Sequence, residues 1–101
     1  MPFNFIIPRI VNRVMLGRHR TEIIAQILEV VNDGSSGGEG VTRTKIMYKA
    51  FLSYAQLKEY LAILTHNGLL SFDDGTQTFK TTEKGLRFLK AYGQLDQLTN
   101  K

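Results

Sequence analysis

Between Val41 and Tyr60 the sequence concentrates groups that can hold a polyanion. Arg43, Lys45, Lys49 and Lys58 stand there against Glu59 alone, a local charge of +3. Ser53, Tyr54 and Gln56 add neutral hydrogen-bonding side chains among them. That mixture suits double-stranded DNA. Cationic side chains release counterions condensed on phosphates, a gain that does not depend on base sequence. Gln56 has the chemistry to read adenine, and Lys58 to take guanine or a phosphate. Arg43 and Lys45 can hold the sugar–phosphate backbone without reading sequence. Tyr54 can reach a phosphate through its hydroxyl, or pack partly buried beside its own helix. Thr78 and Lys80, further along, can touch phosphates or the minor groove. The plain alternative is a solvated surface, since a net charge of +4 over 101 residues is modest.

No other chemistry assembles. His19 and His66 are the only histidines and fall in different elements. His66 suits the negative end of a helix dipole better than a catalytic role. Asp73-Asp74 before a glycine reads as a turn rather than a metal site. Ser53 has no partner base, and capping a helix accounts for it. Cysteine is absent, which excludes a disulfide framework and thiolate metal ligands. The stretch from Gly34 to Gly40 is glycine-rich, but it lacks the Lys-Ser/Thr ending of a phosphate-binding loop and contains Glu39. No apolar run approaches the roughly 20 residues needed to span a bilayer. The expectation is a cytoplasmic, nucleoid-associated binding protein. Neither enzymatic activity, nor a cofactor, metal, small-molecule ligand or membrane span, is expected.

The elements that must position these groups follow from local pattern. Residues 1–17 form an apolar and basic arm containing Phe5 and Ile6. A domain over 18–98 follows, and 99–101 is a tail. Ile24, Ile27, Leu28 and Val31 predict a helix over 20–32. Thr42 caps a second helix whose inner face is Ile46, Met47 and Ala50, followed by Phe51. A very short turn leads to Ser53, which opens a third helix ending at Asn67-Gly68. Ser53 and Gln56 have capping-box spacing. Leu57, Tyr60, Leu61 and Leu64 make the apolar back of that helix. Leu69 to Phe72 and Gln77 to Thr81 predict a hairpin, with Asp74-Gly75 as the positive-φ turn. Thr82 caps a last helix, which Gly93 weakens by roughly 1 kcal/mol. Two helices in a tight turn, followed at once by a two-stranded ribbon, form the winged version of helix-turn-helix. The fold class is α+β, mainly α: three helices, a two-stranded wing and a C-terminal helix.

These residues resemble a known family, the small archaeal winged-helix DNA-binding proteins of the ten-kilodalton class, described as chromatin proteins or regulators. The resemblance runs from Arg20 to Tyr92. It rests on Glu22-Ile23-Ile24, Ile27-Leu28, Ser53-Tyr54, Glu59-Tyr60-Leu61, Asn67-Gly68-Leu69-Leu70 and the wing exit Phe79-Lys80-Thr81-Thr82-Glu83-Lys84-Gly85. It implies a homodimer held by a long C-terminal helix, with the third helix and the wing facing DNA. The sequence departs from this in a last helix that reads as short and interrupted at Gly93, and in its N-terminal arm. Phe88, Ala91, Leu95 and Leu98 space like coiled-coil positions for two heptads. With Phe5, Ile6 and Tyr92 they are the candidate dimer seam. The leading reading is a dimeric winged-helix DNA-binding protein, a transcriptional regulator or nucleoid component. The alternative is a winged-helix module that binds protein and not DNA.

Overall fold

The computed structural model describes residues 19–35 and 37–99. The elements run α1 (Arg20–Gly34), α2 (Arg43–Ala50), α3 (Tyr54–His66), β1 (Leu70–Asp73), β2 (Thr78–Thr81) and α4 (Glu83–Thr99). This is the predicted winged-helix arrangement, mainly helical with one antiparallel pair of strands. Ile27, Leu28, Val31, Val41, Ile46, Leu57, Leu64 and Phe79 form the centre of the core. Both strands and every helix except α4 contribute a side chain to this buried core. Helix α1 lies beneath α2, α4 and β2, while α3 packs on α2 and β1.

Capping decides where the helices start. The Thr42 hydroxyl accepts the Lys45 N–H at 3.3 Å and opens α2. Ser53 and Gln56 form the predicted capping box, with the Gln56 N–H donating to Ser53 Oγ at 3.2 Å and the Ser53 N–H donating to Gln56 Oε1 at 3.1 Å. Thr82 Oγ1 accepts the Gly85 N–H at 3.1 Å at the start of α4.

Five local expectations change. Helix α1 continues to Gly34, closed by Ser35, whose hydroxyl donates to Val31 O and whose N–H donates to Asn32 O. Its buried stripe includes Ile23, whereas Ile24 is half-buried. Phe51 does not continue the inner face of α2. It adopts a left-handed conformation, φ 56°, so its side chain swings outward and Leu52 enters the core instead. The wing loop spans residues 74–77 between the paired residues Asp73 and Thr78. Its left-handed residue is Gln77, φ 57°, and not Asp74 or Gly75. Asp73 Oδ1 accepts the Gly75 N–H at 2.9 Å, so a side-chain turn replaces the two-residue backbone turn. Last, α4 runs unbroken through Gly93 for 17 residues, about 25 Å. A single glycine weakens a helix by about 1 kcal/mol, too little to divide one of this length.

One strand contact has no sequence signal. Val41 pairs with Phe79 through two backbone hydrogen bonds of 2.8 Å, which tie the loop before α2 to the wing. The start of α2 is thereby held beside β2.

Candidate nucleic-acid interface

The polar start of α3 faces solvent. Ser53, Tyr54, Gln56 and Lys58 are exposed, while Leu57, Tyr60, Leu61 and Leu64 are buried behind them. Tyr54 is 64% exposed, so of its two readings the packing role is not the one observed. Gln56 is partly committed. A bidentate adenine contact needs both the oxygen and the nitrogen of the amide, and Oε1 already accepts the Ser53 N–H. Reading adenine would therefore open the capping box.

Arg43 and Lys58 converge. They belong to different helices, yet both line a groove of about 250 Å3 with Leu61, Ala62, Thr65, Phe72 and Phe79. This groove separates α3 from the wing. The Arg43 guanidinium lies 5.0 Å from the Phe72 ring centre and 5.2 Å from that of Phe79. The two rings are themselves 4.7 Å apart. Cation–π attraction of this kind orients a guanidinium without neutralising it. Among the described residues no carboxylate pairs with Arg43 or Lys58; an exposed ion pair, Glu83–Arg87 at 3.7 Å, lies apart from them on the surface of α4. Phe72 and Phe79 escaped the sequence reading of the site. Their signal is the hairpin register, which sets them directly opposite each other.

Lys45 is not brought to this groove. Two residues along a helix turn the side chain by about 200°. Lys45 and Lys49 instead line a second cavity of about 260 Å3 with Val30, Asp33 and Gly34 at the end of α1. On the wing, Thr78 is half-buried against Gly40 and its hydroxyl is 2.7 Å from that of Thr76. Lys80 is exposed, but it lines a shallow surface depression with Ser71, Phe72, Thr78 and the acidic Asp73 and Asp74. The wing tip is acidic.

The proposed seam divides in the same way. Phe88 packs partly on the domain's own core and stacks on Tyr92, ring centres 6.4 Å apart. Ala91 is exposed and Leu95 is 61% exposed. Phe5, Ile6 and the side chain of Leu98 lie outside the described residues. No helix among the described residues is long and apolar enough to cross a membrane.

A winged helix-turn-helix family model matches residues 17–100 of the chain. The chain is 26% identical over 83 residues to an uncharacterized protein of Methanocaldococcus jannaschii, covering 82% of this chain and 78% of that one. Among solved structures it is similar to Sso10a-2 of Sulfolobus solfataricus, described as a DNA-binding protein. The TM-score is 0.68 at 21% identity, over 82% of this chain and 83% of that one.

Proposed function

This chain belongs to the winged helix-turn-helix family, and we propose that it binds double-stranded DNA as a homodimer, as a transcriptional regulator or nucleoid-associated protein. The observation that carries the reading is the convergence of Arg43 and Lys58 on the groove between α3 and the wing. The exposed start of α3 enters the major groove in this docking mode. Ser53, Tyr54 and Lys58 meet base edges or phosphates there, and the amide nitrogen of Gln56 remains a donor. Arg43, steadied on Phe72 and Phe79, meets the flanking phosphate. Lys45, Thr78 and Lys80 lie further out and serve as peripheral backbone contacts. The similarity to a DNA-binding archaeal protein agrees with this reading.

Fluorescence anisotropy with a random-sequence duplex across a salt series tests it. Binding should weaken linearly on a log–log plot, by about 0.9 per phosphate neutralised. An absence of binding at low salt would overturn the reading. It would favour the second one, a protein-binding module, for which the acidic wing tip at Asp73 and Asp74 speaks.

The dimer is assigned to the outer part of α4, where Ala91 and Leu95 are exposed and Phe88 and Tyr92 half-buried; Leu98 continues the spacing in the sequence, and Phe5 and Ile6 of the arm are the other seam candidates. Leu95→Glu places a charge in that seam. The dimer should weaken by roughly 30-fold or more, read by sedimentation equilibrium. An unchanged dimer would remove α4 from the interface.

A further inference from the structure

We propose that the outer face of the α2–α3 corner is a stacking platform for the unpaired bases of a single-stranded nucleic acid. This ligand is additional to the duplex, and the proposal does not rest on duplex binding. Three aromatic side chains stand out of the surface within seven residues: Tyr48 is 71% exposed, Phe51 60% and Tyr54 64%. Elsewhere among the described residues Tyr60 and Phe79 are buried, and Phe88 and Tyr92 are half-buried. Phe72, the remaining one, lies beneath the Arg43 guanidinium.

The spacing and the backbone both serve this display. Tyr48, Phe51 and Tyr54 recur every third residue around the corner, so successive Cα atoms are at most about 10 Å apart. Phe51 sits where a helix ordinarily ends on glycine, in a left-handed conformation that bulky side chains avoid. A bulky residue held in such a conformation points to a use for the side chain. Here the consequence is geometric, because the ring is carried outward while Leu52 turns in.

The charge around the rings selects the partner. Lys45 and Lys49 are exposed beside Tyr48 on α2, and Lys58 follows Tyr54 by one helical turn. From Val41 to Lys58 the sequence has no aspartate or glutamate. A protein-docking surface typically excludes charge from its centre, and lysine is depleted there. Aromatic faces interleaved with cations suit a single strand, where bases stack on the rings and phosphates meet the ammonium groups. A duplex hides the faces of its bases, so it cannot use the rings in this way.

The test is anisotropy at low salt with a fluorescein-labelled oligothymidylate. An oligouridylate serves as a second probe, to tell whether DNA strands, RNA strands or both are taken. Tyr48→Leu combined with Phe51→Leu keeps apolar bulk and removes two π faces. Stacking is worth about 1–3 kcal/mol per base, so strand affinity should fall by at least roughly tenfold. Duplex affinity, measured in parallel, should stay within about threefold, while Tyr48→Phe should bind the strand like the unaltered protein. Should the double variant fail to fold, Tyr48→Leu with Phe51→Gly replaces it, since glycine accepts the backbone conformation at that position. The proposal is overturned if neither strand binds, if the leucine variant binds as well as the original, or if strand and duplex affinity fall together. The duplex measurement on the unaltered protein separates its failure from that of the duplex reading.

Discussion

A variant with alanine at both Arg43 and Lys58 is expected to bind duplex DNA roughly 100-fold more weakly, because each lost charge-assisted hydrogen bond is worth about 1.5 kcal/mol or more. Its salt dependence should be shallower by about 1.8 in log–log slope, for two phosphates no longer neutralised. Both effects should be the same on any sequence if the contacts are to phosphate. The two side chains come from different helices and meet at one groove, so they would act on neighbouring phosphates or on one. Arg43→Lys separates charge from stacking. It keeps the cation but loses the planar group lying over Phe72 and Phe79. The slope should then be retained, while affinity falls by the smaller amount due to a less ordered side chain. Anisotropy titrations of the three proteins at several salt concentrations decide it. An unchanged slope in the double variant would take the groove out of the interface.

Gly85→Ala should lower the melting temperature by about 10 °C. Gly85 is buried where the wing returns to α4. A Cβ there would press on the Leu69 carbonyl oxygen and lie 2.6 Å from Thr81 Cγ2. Neither neighbour can easily yield. Leu69 O accepts the Thr82 N–H at 3.1 Å, and the Thr81 hydroxyl donates to Leu28 O at 2.8 Å. Overpacking of this kind costs about 1–3 kcal/mol. Because the clash is partly with backbone, the upper end applies, and the better helix propensity of alanine returns about 1 kcal/mol. The net loss of about 2 kcal/mol corresponds to the stated shift for a domain of this size. Gly93→Ala is the contrast. Nothing lies within 4 Å of its Cβ position, so only the propensity gain of about 1 kcal/mol remains and the melting temperature should rise. Thermal unfolding followed by circular dichroism compares the two. A Gly85→Ala protein melting within a few degrees of the original would mean that the junction is softer than its hydrogen bonds imply.

Much of this architecture is local and therefore legible in the residues. Thr42, Ser53 with Gln56, and Thr82 open helices because a side-chain oxygen satisfies a backbone N–H three residues on. The apolar back of α3 follows from a period that every helix shares, and all four of its predicted residues are buried. From those caps and periods came the element order, and with it the exposed polar start of α3. The site itself was legible only as a list of cations. That Arg43 joins Lys58 while Lys45 turns to the end of α1 depends on how α2 is seated, and that seat is set by the Val41–Phe79 pairing and the core beneath it. Phe51 is apolar and follows the apolar face of α2, yet its left-handed conformation carries its ring outward while Leu52 is buried. The wing turn moved its positive φ to Gln77. Asp73 bonds the Gly75 N–H through its side chain, while the register Phe72↔Phe79 is held by Phe79 in the core. Caps and periodicity act within a few residues, so the chain alone specifies them. Which cations meet, and which aromatic rings face out, depends on packing between elements distant in sequence.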